Sequence, residues 1–473
     1  MSKEDICFMS ACDMADSIKR QELTSEEITE IIIERIEKIN PLVNAYCTTT
    51  FDLAREMAKK ADDMVKKGES VGILNGVPIS IKDLMMTKGI RTTYGSKIYE
   101  NNIPEEDEIV VKRLKDAGIT LLGKTNTSAY GFQAVADNLI FGPTLNPWNR
   151  KKTSGGSSGG AAASVASGIG PLALGSDGGG SIRVPSCFCG IYGLKPSFGR
   201  IPRYPIHDTA WMTLDHYGPI VRYVKDAALM LDAMAGPDDG DKYSIPQKDM
   251  NYLKALNERP SKVKIGYSLD LGIVKANEPE VEKAVLDAVQ KFEQFDWSVE
   301  KSKIKLRKAD SSFITIYGAG ISYDLKPSLK EWRDKLDIDL VKVIEGTENF
   351  TALDYKRAEA NRDKIYNLMY QYFKNYDILI TPTTAVPAFD TGMMFVPKIA
   401  GKNVSPATWH ACLLPFNLTG LPAASIPCGW SSEGTPIGMQ IVGKRYDEKT
   451  VLQVSKAFEE IAPWQDKRPK LDS

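Results

Sequence analysis

Histidine is scarce in this sequence, with three residues in 473. His207, His216 and His410 do not form an H-E-x-x-H zinc motif, and none has a recognisable catalytic-triad context. We therefore expect no metal and no other cofactor, and serine–histidine catalysis is a minor alternative. His410 follows Trp409, and we keep it as a candidate for lining a substrate pocket.

The sequence also lacks an excess of either charge and any long apolar run. Lys and Arg number 60 against 61 Asp and Glu, which argues against a polyanionic partner such as nucleic acid. No charge-free run of about 18 apolar residues predicts a membrane span, and the N-terminus shows no signal-peptide pattern. Seven cysteines with scattered spacing fit a reducing compartment. We expect a cytoplasmic protein with no membrane or nucleic-acid partner, and a homodimer is left open.

Strand-like and helix-like segments alternate along the chain, which predicts an α/β sheet covered by helices on both faces. Residues 77–83 alternate like a strand and would deliver Lys82 to the sheet edge where α/β enzymes present catalytic groups. Thr24 and Glu27 have the spacing of a capping box, and Pro41 is expected to end the helix that follows.

Residues 151–199 are rich in Gly and Ser but contain apolar segments, so they are expected to fold tightly. Ser157 and Ser181 each lie on a glycine-flanked turn, where a hydroxyl can act as a nucleophile beside unpaired backbone N–H groups. No phosphate-binding lysine follows the glycines. Residues 155–159 formally match the G-x-S-x-G nucleophile elbow, but the polar residues before them do not predict the strand that this motif requires.

The two glycine-rich blocks, GGSSGG at residues 155–160 and DGGGSIRVP at residues 177–185, resemble the signature of the amidase signature family. The resemblance covers nearly the whole chain and includes the spacing of Lys82, Ser157 and Ser181, which lie 75 and 24 residues apart. It implies that Ser181 is the nucleophile, Ser157 the proton relay and Lys82 the base. It also implies a cis peptide bond between Gly156 and Ser157.

The resemblance assigns further roles around this triad. The oxyanion hole would be formed by the backbone N–H groups of Gly178, Gly179, Gly180 and Ser181. The loops around it would be supported by Gly156, Ser158, Asp177 and Arg183. The candidates for the substrate pocket are Asn126, Thr127 and His410. Position 178 is Gly where many members carry Thr or Ile, which would loosen the loop or leave room beside it.

The fold implied by the resemblance is α/β, with a mixed, twisted central sheet covered by helices on both faces. Residues 417–423 and 438–443 resemble the family's C-terminal strands, which close this sheet. One domain would span residues 1–473, with its core at about 70–235 and 376–465 and a less well matched, substrate-shaping region at about 241–350. The implied function is hydrolysis of a small or apolar, aryl or linear amide through an acyl-enzyme, with esterase side activity. The alternative is the glutaminase-type A subunit of a tRNA-dependent amidotransferase, which would act with a partner.

Overall fold

The computed structural model describes residues 1–206, 208–246 and 251–471, so His207 lies outside the described residues. The strands are β1 (Tyr46–Thr49), β2 (Pro78–Lys82), β3 (Thr120–Thr125), β4 (Leu172–Ser176), β5 (Tyr192–Lys195), β6 (Tyr217–Val221), β7 (Lys264–Tyr267), β8 (Ser298–Lys301), β9 (Ile378–Pro382), β10 (Lys398–Ile399), β11 (Lys402–Asn403), β12 (Ala423–Trp430) and β13 (Pro436–Gly443). Strands β10 and β11 form a separate hairpin, and the other eleven form one sheet in the order β1-β3-β2-β4-β6-β5-β12-β13-β9-β7-β8.

The sheet is mixed, as expected. Strand β2 runs parallel to β3 and β4, whereas β12 and β13 are antiparallel. The helices are α1 (Lys3–Cys7), α2 (Ala11–Lys19), α3 (Ser25–Val43), α4 (Phe51–Lys66), α5 (Ile109–Asp116), α6 (Gly159–Ala166), α7 (Arg183–Cys189), α8 (Val224–Met234), α9 (Tyr252–Ala255), α10 (Pro279–Lys291), α11 (Ala309–Leu325), α12 (Leu329–Trp332), α13 (Ile338–Thr347), α14 (Ala352–Tyr372), α15 (Leu414–Leu418) and α16 (Glu448–Ile461). Within the described ranges, no helix combines the length and the apolar character that a bilayer crossing requires.

Both faces of the sheet are buried, because alternate residues of its strands join two different hydrophobic clusters. In β9, Ile378 and Ile380 belong to one cluster and Leu379 to the other. In β13, Ile441 and Val442 are divided in the same way. The expected α/β fold with helices on both faces is therefore confirmed.

Two local expectations are wrong. Thr24 and Glu27 do form a capping box, but α3 continues past Pro41 to Val43. A proline at this position removes a single backbone donor near the helix end, and the N–H of Asn44 still reaches the carbonyl of Asn40. Residues 417–423 are not a strand, because α15 ends at Leu418 and β12 begins only at Ala423.

Candidate active site

Lys82 is the last residue of β2 and is fully buried. Strand β4 runs parallel to β2, so Lys82 and Ser176 at the two strand ends reach the same edge of the sheet. The Lys82 Nζ atom donates hydrogen bonds to Ser157 Oγ at 2.7 Å and to Ser176 Oγ at 2.9 Å. The structure therefore brings Lys82 and Ser157 together across 75 residues of sequence.

The electrostatic environment makes the neutral form of Lys82 accessible. Burial lowers the pKa of Lys82 to about 7, although the carboxylates of Asp215 and Asp177 act in the opposite direction. Burial also raises the pKa of Asp215 to about 6, and its carboxylate lies 3.4 Å from the guanidinium of Arg203. An amine with a pKa near 7 can exchange protons in neutral solution, which is the property required of a base.

Ser157 lies on the loop before α6 and follows a cis peptide bond from Gly156, as the resemblance implies. A side chain at Gly156 is excluded, since a Cβ atom there would lie 2.3 Å from the carbonyl carbon of Val135. The N–H of the next residue, Ser158, donates to the carbonyl of Ser181 at 3.2 Å, and its hydroxyl donates to the carbonyl of Ser176 at 3.1 Å. Ser158 thus connects the loop of Ser157 to the loop of Ser181.

Ser181 ends the glycine loop between β4 and α7 and retains 7% of its surface exposed. In the part of the chain that the structure describes, the N–H groups of Gly178, Gly179 and Ser181 have no hydrogen-bond acceptor. The N–H of Gly180 differs, because it donates to Asp177 Oδ1 at 2.7 Å. The expected set of four free donors is therefore corrected to three, since Gly180 is occupied in holding the loop.

Asp177 and Arg183 brace this loop with an ion pair of 2.8 Å between two fully buried side chains. The guanidinium also donates to Asn417 Oδ1 at 2.6 Å and to Gln440 Oε1 at 2.5 Å, so the brace reaches α15 and β13. Burial alone would raise the pKa of Asp177, but the charge and hydrogen bonds of Arg183, together with Lys195 and Asn417, outweigh burial and hold that pKa well below its usual range. The carboxylate therefore stays ionised and accepts the loop's N–H groups.

The space beside Gly178 is filled, which contradicts one of the two alternatives expected for this glycine, namely that it leaves room beside the loop. A Cβ atom at Gly178 would lie 2.3 Å from Cε3 of Trp211. The indole N–H of Trp211 donates to the carbonyl of Tyr130 at 2.9 Å, and its ring lies 4.5 Å from that of Tyr317. Trp211 therefore occupies a fixed position against the glycine loop, and the glycine makes this close approach sterically feasible.

Asn126 is not available to a substrate, which corrects its expected role. Its amide donates to Gly142 O and Thr144 Oγ1, and its carbonyl oxygen accepts from Thr127 N and Asn138 Nδ2. These four bonds use the full hydrogen-bonding capacity of the Asn126 side chain. Thr127 is also buried, and its hydroxyl donates to the neighbouring carbonyl of Ser128.

His410 stays a prediction as a pocket residue. Burial lowers its pKa to about 4, so it is neutral at physiological pH, and its Nδ1 atom has no partner among the described residues. Those residues also contain no group of three His, Cys, Asp or Glu side chains placed to hold a metal ion.

Three residues of the site were not found by sequence reasoning. Ser176 directly precedes the DGGGS block, so its place at a strand end was a readable signal. Trp211 and Asp215 carried no such signal, because they lie 30 and 34 residues after Ser181 in an irregular region.

Comparisons with known proteins identify the family to which the chain belongs. The amidase family model matches residues 27–452. An acylamidase of Rhodococcus erythropolis is 35% identical over 99% of this chain and 98% of its own length. The A subunit of a glutamyl-tRNA(Gln) amidotransferase from Moorella thermoacetica is 36% identical over 99% of both. The crystal structure of a bacterial aryl acylamidase superposes with a TM-score of 0.90 at 30% identity, covering 97% of each chain. The chain belongs to the amidase family, the amidase signature enzymes.

Proposed function

We propose that this protein hydrolyses carboxylic acid amides through an acyl-enzyme on Ser181. An amide has an unreactive carbonyl and a poor leaving group, so the site must supply a nucleophile, donors for the oxyanion and a proton for the departing nitrogen. The observation that carries the proposal is the 2.7 Å hydrogen bond from Lys82 to Ser157, beside a glycine loop in which three N–H groups have no acceptor among the described residues.

In the first half of the reaction, neutral Lys82 accepts the proton of Ser157 as Ser157 takes the proton of Ser181. The Ser181 oxygen then bonds to the carbonyl carbon. The N–H groups of Gly178, Gly179 and Ser181 stabilise the oxyanion, and each such donor contributes up to about 3–4 kcal/mol to lowering the barrier. The C–N bond breaks as Ser157 gives a proton to the leaving nitrogen, and Lys82 returns its proton to Ser157.

In the second half, water attacks the acyl-enzyme and releases the acid, with the same groups moving the protons. The substrates we propose are small or apolar, aryl or linear amides, with esterase side activity. We further propose that the chain is a single domain acting in the cytoplasm, and that any self-association is as a homodimer.

The second candidate is the glutaminase subunit of a tRNA-dependent amidotransferase. The 36% identity to such an A subunit over 99% of the chain favours it. The two functions differ in their requirement for a partner, because an amidotransferase subunit passes ammonia onward, whereas a free-standing amidase acts alone.

The isolated chain should therefore be assayed with glutamine, an anilide and a linear aliphatic amide, with Ser181→Ala as the inactive control. We expect turnover of the anilide or the aliphatic amide by at least about a hundredfold over Ser181→Ala, and little release of ammonia from glutamine. If glutamine is the only one of the three substrates that is hydrolysed, the result would support the amidotransferase subunit instead. Turnover that survives in Ser181→Ala would contradict the assigned nucleophile.

A further inference from the structure

A cavity of about 470 Å³ lies beside the Lys82 side of the site. Ser176, which accepts a hydrogen bond from Lys82, is part of its wall, as are Tyr130 and Trp211. The volume is within the range of about 300–1,000 Å³ found for small-molecule sites. The cavity is therefore large enough for part of a substrate and is next to the groups that move protons.

The cavity reaches the proton-transfer groups through Ser176 in its wall, because Lys82 donates to both Ser176 and Ser157. Tyr130 lines it, and a Cβ atom on the next residue, Gly131, would lie 3.3 Å from Ser157 Oγ. The far side of the loop is covered by Phe313 and Leu413, which contact Gly179 and Gly180 and do not line this cavity. The group that lies beside Ser157 is the one that receives its proton, namely the leaving nitrogen.

The walls of the cavity carry more negative than positive charge. Glu108, Asp208, Asp215 and Asp324 line it, and Arg203 is the one cation among the described lining residues. Arg203 is already paired, at 3.2 Å from Asp208 and 3.4 Å from Asp215. Glu108 accepts from the Met86 N–H and the Tyr217 hydroxyl, and Asp324 accepts from the N–H groups of Thr209 and Ala210. Among the described lining residues, four carboxyl groups therefore stand against one guanidinium.

Burial raises the pKa of Glu108 to about 7 and that of Asp215 to about 6, and the charge of Arg203 opposes both shifts. An ammonium group placed in the cavity would favour the ionised form of both carboxyls. Three tyrosines, Tyr94, Tyr99 and Tyr130, also line the cavity, and the face of such a ring attracts a cation.

We infer that this cavity binds the amine portion of the amide and selects amine portions that carry a second, positively charged nitrogen. The inference rests on the proposed function, because it takes Ser157 as the proton donor to the leaving nitrogen. Trp211 forms the wall between the cavity and the glycine loop, so it limits the size of the group next to the scissile bond.

Two amides with the same acyl group test the inference, one an N-butyl amide and the other an N-(3-aminopropyl) amide of equal length with a terminal ammonium. We expect the wild-type enzyme to have a kcat/KM at least about tenfold higher for the cationic amide. Asp324→Asn and Glu108→Gln should each lower that ratio by about threefold or more. Asp52→Asn is the matched control, since the Asp52 side chain is fully exposed, and it should leave the ratio unchanged.

Each ratio is measured on one sample, so a loss of folded enzyme in a variant cancels. Equal kcat/KM for the two amides, a preference for the neutral one, or a ratio that neither Asp324→Asn nor Glu108→Gln changes would overturn the inference. So would a charge preference that appears only when the ammonium is placed on the acyl portion. Turnover of neither amide would instead contradict the proposed function, and with it the inference.

Discussion

Lys82 is a lysine that is completely buried. Burial disfavours its ammonium form, so the neutral amine is available to act as a base. With a pKa of about 7, Lys82 is increasingly neutral as the pH rises above that value and is an ammonium below it. Only the neutral form can accept a proton. We therefore expect kcat/KM for an amide to rise with pH along an acid limb centred near 7.

Replacing Lys82 by Met should remove that acid limb and lower kcat/KM by about two to four orders of magnitude. Lys124 is the matched control, because it is a second fully buried lysine, and its Nζ donates to Thr87 and Thr92. Lys124→Met should retain the acid limb in its remaining activity. A limb near pH 7 that persists in Lys82→Met would mean that Lys82 supports the site without titrating.

Gly178 and Trp211 give a second prediction at the residue scale. In Gly178→Thr the new Cβ would lie 2.3 Å from the Trp211 ring, so the loop or the ring must shift, at a cost of about 1–3 kcal/mol. We expect kcat/KM to fall at least about tenfold. Trp211→Ala should restore part of the activity of Gly178→Thr in the double variant, whereas two independent losses that simply add would show that the residues do not compete for this space.

Lys82, Ser157 and Ser181 could be proposed from the sequence because the glycine-rich blocks and their spacing resemble the amidase signature, and the structure places Lys82 beside Ser157. The sequence did not identify Trp211, because its contact with Gly178 depends on tertiary packing. It also assigned Gly180 to the oxyanion hole, since spacing along the chain does not reveal that this N–H points to Asp177.

At the scale of elements, the glycine loop and α7 are held by one buried ion pair. Arg183→Met would leave the Asp177 carboxylate buried without its guanidinium, and we expect the free energy of unfolding to fall by about 3–5 kcal/mol. Urea unfolding measures this change. The control is Arg55→Met, which breaks an exposed pair with Glu30 and should cost less than about 1 kcal/mol. Equal losses in both variants would contradict the bracing role.

Helices and strands could be predicted from the sequence where a single local pattern determines the structure. The alternation of residues 77–83 predicted β2, and the spacing of Thr24 and Glu27 predicted the capping box that begins α3. Prediction failed at residues 417–423, where Asn417 belongs to α15 and supports Asp177 and Arg183 instead of extending a strand. The role of Asn417 follows from partners more than 230 residues away, which no local pattern contains.

At the scale of the whole molecule, the weakly matched region at about 241–350 is part of the same sheet as the signature core. Strands β7 and β8 extend the sheet beyond β9, and α11 places Phe313 against Gly179. The region therefore shapes the site although its sequence carried little family signal, because covering an apolar face constrains hydrophobicity and size more than residue identity.

The central claim is that Ser181 attacks and Ser157 relays the proton to the leaving group. Its most direct measurement uses Ser157→Ala with an amide and an activated ester of the same acyl group, together with the position of a fluorophosphonate adduct by mass spectrometry. An amine leaving group depends on a proton far more than an activated alkoxide or phenoxide does. We predict that Ser157→Ala loses at least about tenfold more activity on the amide than on the ester, and that Ser181 is still labelled slowly. Equal loss on both substrates with no adduct on Ser181 would contradict the account and identify Ser157 as the nucleophile.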